Sequence, residues 1–132
     1  MGGVHHIGIA VDDLDAAVAR YTSFFGATLE HRETVAYQGV EAASLLVSGS
    51  RIELLASLGP ETPVGKFLAS RGPGMHHVAF EVADIAAELA RLKRDGVRLI
   101  DEMPRRGLFG LQVAFVHPEA TGGVLAELVA HG

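Results

Sequence analysis

The chain has no cysteine among its 132 residues. That excludes a disulfide framework and any thiolate nucleophile or thiolate metal ligand. It also lacks a run of Lys or Arg, and acidic residues outnumber basic ones for a net charge of −5, so a nucleic-acid surface is not expected. No apolar stretch is long enough to span a bilayer. The opening MGGVHHIGIAVDD has no basic segment followed by an apolar core, so it does not read as a signal peptide. Low charge (20%) beside 48% hydrophobic residues excludes a disordered chain and supports one core of ordinary size. A cytoplasmic protein fits these absences.

What the chain does have is an internal repeat. HHIGIAVDDLDAAVAR at 5–20 is answered by HHVAFEVADIAAELAR at 76–91, an offset of 71 residues. RIELLA at 51–56 is echoed by LAELVA at 125–130, which sets Glu53 against Glu127. Each copy thus contributes an imidazole and a carboxylate at matching places.

The pattern of elements repeats as well. Val4 to Val11 is short, apolar and β-branched, and predicts a buried strand. Asp12-Asp13 can cap a helix, on which Leu14, Ala17, Val18, Tyr21, Phe24 and Phe25 form an apolar stripe ending at Gly26. Ala27 to Val35 predicts a strand, and Glu41–Val47 with Arg51–Ala56 a hairpin turning at Gly49-Ser50. Residues 57–74 hold most of the Pro and Gly and read as a linker with one short helix, Pro63 to Ser70. The second copy predicts a strand over Met75–Val82, a helix from the Asp84 cap to Asp95 with Ile85, Leu89 and Leu92 buried, and strands at Val97–Ile100, Leu111–Val116 and Gly123–Val129. The loop MPRRGLFG (103–110) is basic, Gly-rich and expected to be mobile. The reading is one α+β domain over 1–132, with repeat one at 4–56 and repeat two at 75–130. Its tandem βαβββ units place helices outside and curved mixed sheets around a shared cavity.

Neighbouring strand residues point to opposite faces, so only one of His5-His6 and one of His76-His77 can face that cavity. His6 shares its face with Gly8 and Ala10, which leaves room for a ligand, and His77 shares its face with Ala79 and Glu81. A lone His-His pair is as well explained as an ordinary strand edge; the same pair twice, at equivalent positions, argues for ligands. Glu53 and Glu127 lie inside apolar runs, where a carboxylate is costly to desolvate. Two His and two carboxylates suit a divalent transition ion with positions left open for a chelating substrate.

Several stretches carry a resemblance: HHIGIAVDDLDAA, YQGV, RIELL, VGKFLASRGPGMHHVAF, LKRDGVRLI, PRRG and FVHPEATGGVLAELV. They resemble the methylmalonyl-CoA epimerase family of the vicinal oxygen chelate superfamily, which includes glyoxalase I. The resemblance runs nearly end to end. It implies the vicinal oxygen chelate fold, metal ligands at His6, Glu53, His77 and Glu127, a divalent ion with Co2+ favoured and Mn2+, Ni2+ or Zn2+ as alternatives, an acyl-CoA substrate and a homodimer. It also implies epimerisation at the α-carbon, for which an enolate needs a base and an acid on opposite faces. Glu53 and Glu127, related by the repeat, are the expected catalytic pair, one or both loosening from the metal to move the proton in a scheme that resembles glyoxalase I. There is one departure. Some bacterial members carry a Glu two residues beyond the Gly-Val of the QGV stretch, proposed as a base; Ala42 stands there in this chain. Glu41 is one residue earlier, which on an unbulged strand is the opposite face.

Lys66, Arg71, Arg105 and Arg106 are candidates for coenzyme A phosphates, with solvated surface charge as the plainer explanation of each. His117-Pro118 and Gly122-Gly123 shape a loop, or are simple turn residues. Three other readings stay open. A glyoxalase-type isomerase would share the four ligands, and a ring-cleaving dioxygenase needs only two His and one carboxylate. A binding module without metal would lack the quartet.

Overall fold

The structure is a computed structural model and describes residues 1–131. The chain divides into two compact units, His6–His76 and a second made of Met1–His5 with His77 onward.

In the first unit the strand β1 (Val4–Val11), whose first two residues belong to the second unit, leads to helix α1 (Leu14–Phe25). Then come β2 (Thr28–Val35), β3 (Val40–Val47), β4 (Ser50–Ser57) and helix α2 (Pro63–Arg71). The strands lie in the order β2-β3-β4-β1, with β1 parallel to β4 and the remaining pairs antiparallel. The second unit holds β5 (Gly74–Glu81, from His77), α3 (Ile85–Arg94), β6 (Arg105–Arg106), β7 (Gln112–Val116) and β8 (Ala126–Ala130). Its order is β6-β7-β8-β5, with β5 parallel to β8. The two units therefore have the same topology, as the sequence repeat requires.

Local chemistry explains the elements. Asp13 and Asp84, themselves 71 residues apart, cap α1 and α3 by accepting the Ala16 and Ala87 amides at 3.1 and 3.0 Å. Gly26, at φ 68°, ends α1 in the left-handed conformation. Thr62 caps α2, with Pro63 in the first turn. One face of each sheet packs on its helix: Ala43, Leu45 and Leu54 lie with Leu14 and Ala17 of α1, and Ala114, Val116 and Leu128 with Ile85 and Leu89 of α3. The other face is left for the polar residues described below.

Several expectations need correction. Val97–Ile100 is not a strand; only Leu99 bridges to Val116. The Asp101 side chain takes the Phe115 amide at 2.8 Å, while the Ile100 and Asp101 amides both go to the Phe115 carbonyl, so a regular ladder cannot continue. The fourth strand comes instead from the basic segment, where Arg105 and Arg106 pair with Val113 and Gln112. Pairing of β8 starts at Ala126, not Gly123, because Gly122 and Gly123 hold positive φ angles of 77° and 117°. The hairpin turns at Ser48-Gly49, one residue earlier than expected, since Val47 pairs with Ser50. Phe24 and Phe25 extend the apolar stripe of α1 but are 69% and 60% exposed. Periodicity shows which side of a helix is apolar, not how far the sheet beneath it reaches.

Candidate metal centre

The same arrangement of residues occurs once in each unit. In β1 and β4, Gly8 stands beside Glu53 in the parallel register, and His6 is two residues before Gly8. In β5 and β8, Ala79 stands beside Glu127, and His77 is two residues before Ala79. The residue next to each Glu is small, so the diagonal His can reach the carboxylate. His6 Nε2 lies 3.3 Å from Glu53 Oε2, and His77 Nε2 lies 3.2 Å from Glu127 Oε1. All four residues are buried, from 2% exposed for His6 and Glu53 to 7% for Glu127.

The antiparallel neighbours of the two carboxylates differ. Ser44 pairs with Glu53 in register, is 1% exposed, and donates through Oγ to Glu30 Oε1 at 2.9 Å. Glu30 in turn receives Arg51 through two nitrogens at 2.9 and 3.1 Å. At the equivalent place Phe115 pairs with Glu127 and sets its ring edge-on to His77, 5.8 Å between centroids. One carboxylate thus has a hydroxyl for a neighbour and the other a phenyl ring. Sequence reading missed both; the available signal was a single polar residue inside the apolar run Ala42–Val47.

Glu41 does not replace the missing base. The β3–β4 register runs without a shift from Val40–Ser57 to Val47–Ser50, so no bulge turns Glu41 toward Glu53. Ala42, fully buried, occupies the Glu53 face. Glu41 lies on the helix side, where its Oε2 accepts from Arg32 Nε at 3.0 Å while Arg32 Nη1 reaches Asp15 at 2.7 Å. These bonds, Asp15 first, raise the Arg32 guanidinium pKa above its ordinary value.

The other candidates are placed as follows. Lys66 and Arg71 are exposed on α2, and the Arg71 guanidinium lies over the Phe67 ring at 5.6 Å. Arg105 and Arg106 are exposed on β6. Arg105 stacks over Phe115 at 5.7 Å and lies 3.4 Å from Asp101, which puts a cation beside the Phe115–Glu127 pair. His117 and Gly122 do turn work: His117 Nδ1 accepts the Glu119 amide at 3.1 Å, and Gly122 closes a short 3₁₀ turn at φ 77°.

The donor set fits a divalent ion. Each unit buries one carboxyl group beside one imidazole, an arrangement that is costly to desolvate unless the pair meets a further charge or ligand. The two pairs offer imidazole nitrogen and carboxylate oxygen, donors that suit a divalent transition ion such as Co2+, Mn2+, Ni2+ or Zn2+.

Known proteins resemble the chain over most of its length. The model of the glyoxalase/bleomycin resistance protein/dioxygenase superfamily matches residues 5–115. The chain belongs to that superfamily. A methylmalonyl-CoA epimerase from Mycobacterium tuberculosis is 42% identical and superposes with a TM-score of 0.95, over 98% of this chain and 88% of that one. This establishes the vicinal oxygen chelate fold for the chain. An ethylmalonyl-CoA/methylmalonyl-CoA epimerase of Cereibacter sphaeroides is 37% identical over 97% of both chains. A variant of the Streptomyces coelicolor methylmalonyl-CoA epimerase, solved with 2-nitronate-propionyl-CoA, is 40% identical with a TM-score of 0.94, over 100% of this chain and 96% of that one.

Proposed function

We propose that this protein is a methylmalonyl-CoA epimerase that interconverts the (2R) and (2S) thioesters, using one divalent ion held by His6, Glu53, His77 and Glu127. The observation that carries the reading is the buried His–Glu pair repeated in the same register in both units. Several relatives that resemble the chain over nearly its whole length bear the name of this activity.

The α-carbon of the substrate lies between a thioester carbonyl and a carboxylate. When bound, the ion supplies Lewis-acid stabilisation of the negative charge that develops on substrate oxygen. The protein side chains move the proton. One of Glu53 and Glu127 accepts it as the Cα–H bond breaks and the electron pair passes into the thioester carbonyl. The other, from the second copy of the repeat, enters the step as the protonated acid and delivers its proton to the opposite face of the planar carbon, so the centre inverts and the two glutamates exchange protonation states. A nitronate is a planar anion of similar shape, which is consistent with its use as a ligand for the Streptomyces enzyme.

A dioxygenase is disfavoured because Glu53 is a second carboxylate in the donor set. A binding module without metal is disfavoured because both pairs are complete. The resemblance favours Co2+ among the ions and a homodimer as the working form; among the described residues no helix is long and apolar enough to cross a membrane.

The test is α-deuteration of (2R)- or (2S)-methylmalonyl-CoA in D₂O by metal-reconstituted protein, followed by NMR beside a chelator-treated sample. Metal-dependent exchange with interconversion of the epimers is the expected result. No exchange with Co2+, Mn2+, Ni2+ or Zn2+ would overturn the assignment in favour of an isomerase acting on another chelating substrate. Glu53→Gln and Glu127→Gln should each slow epimerisation by about 10²–10⁴-fold, and full wash-in retained by both would remove the two-glutamate scheme.

A further inference from the structure

We propose that His5, Glu81 and His131 form a second site for a borderline divalent ion such as Zn2+ or Ni2+, separate from the four buried residues. One ligand atom from each of the three lies within 4.8 Å of the others. His131 Nε2 is 3.6 Å from Glu81 Oε1, and the His5 and His131 rings meet edge to face with centroids 6.3 Å apart. All three residues belong to the second unit.

The site draws on three chain segments whose backbones are already tied together. The Gly2 amide donates to the Glu81 carbonyl at 2.8 Å, and the Glu81 amide donates to Gly3 at 3.0 Å, which holds the segment before His5 against the end of β5. The Val82 amide donates to the Val129 carbonyl at 2.9 Å, which holds the end of β5 against the end of β8, two residues before His131. A metal therefore needs to move only side chains. A tetrahedral zinc with bonds of about 2.0–2.1 Å spaces its donors by about 3.3 Å, within reach of small rotations from the observed separations.

Donor chemistry sets the class of ion. Two imidazoles and one carboxylate select Zn2+, Ni2+ or Cu2+ over Ca2+ and Mg2+, which prefer all-oxygen shells. Three protein ligands leave a fourth position for water, which suits the half-exposed His5 and the exposed Glu81 and His131.

The site is separate from the buried pair of the same unit. Glu81 is four residues beyond His77 and His131 four beyond Glu127, which in a strand is a shift of about 13 Å along the same face. A bound ion would join the start of β1, the end of β5 and the residue after β8. It would stabilise this unit, increasingly as the free ion rises above its dissociation constant.

The experiment is a metal count. Tag-free, metal-stripped protein is dialysed to equilibrium against Zn2+ or Ni2+, and bound metal is measured per chain. Two equivalents are expected for the wild type, and one for His131→Ala and for His5→Ala, both of which should keep the deuterium exchange of the parent. Glu127→Gln with Glu53→Gln should retain one equivalent, lost when His131→Ala is added. Ni2+ should broaden the His131 imidazole resonance in that same double variant. Two equivalents retained by both single His variants, or an unbroadened His131 signal, would overturn the proposal. These outcomes do not depend on whether the protein epimerises methylmalonyl-CoA.

Discussion

Arg32 holds the Glu41 carboxylate at 3.0 Å on the helix side of β3, while the next residue, Ala42, faces the same way as Glu53. A carboxylate that could have been taken for a base is thus committed to an ion pair away from the chemistry. Glu41→Gln should leave epimerisation unchanged and alter stability by less than about 1 kcal/mol, because exposed ion pairs are worth little. Steady-state rates and a urea midpoint check both halves of this statement, and a large drop in turnover would return Glu41 to the mechanism.

The matched caps offer a test of the repeat. Asp13 and Asp84 make the same bond at 3.1 and 3.0 Å in equivalent helices. Replacing either by Ala should cost about 0.5–2 kcal/mol, since an amide at the helix start loses its acceptor. Denaturant unfolding of the two variants should show similar losses. Loss from one alone would mean that the units do not share their stability equally.

Gly65 is required by closeness. A Cβ placed there would lie 2.2 Å from the Gly59 carbonyl oxygen and 2.8 Å from Ser57 Oγ. Those atoms belong to a compact knot in which Ser57 Oγ and Thr62 Oγ1 are 2.7 Å apart and Thr62 caps α2. Gly65→Ala should destabilise the protein by about 1–3 kcal/mol, as overpacking does. Gly49→Ala, where an added Cβ meets nothing within 4 Å, is the control. Equal melting temperatures for the two variants would contradict the packing argument.

Arg105, exposed on β6 and stacked over Phe115, is a candidate to receive an anionic substrate group. Arg105→Ala should raise KM for the coenzyme A ester about tenfold, the loss of one charge-assisted hydrogen bond of about 1.4 kcal/mol, with kcat unchanged. The pantetheine ester, which lacks the nucleotide phosphates, should show no such change. An unaltered KM for the coenzyme A ester would assign Arg105 to its contact with Asp101 alone.

How much was legible in the sequence follows from the range over which each signal acts. The helix caps, the α2 start at Pro63 and the paired imidazoles are local, so the repeat of short motifs placed them within a residue or two. The failures come from contacts made at a distance in sequence. Asp101 displaced a strand by taking the Phe115 amide, and Arg105–Arg106 became the edge strand because Gln112 and Val113 presented a free ladder. Neither event leaves a trace in the period of Val97–Ile100 or in the composition of the basic loop.

The sequence by itself determined the duplicated βαβββ plan and the matching His and Glu of each copy, because a side chain's face on a strand follows from alternation alone. Tertiary structure decided which groups surround those residues. Cross-strand register placed Ser44 beside Glu53 and Phe115 beside Glu127, turned Glu41 toward Arg32, and brought His5, Glu81 and His131 together from three separate segments. Register is a property of two strands, set by the match of their apolar faces and by the turn that joins them, and no single strand encodes it.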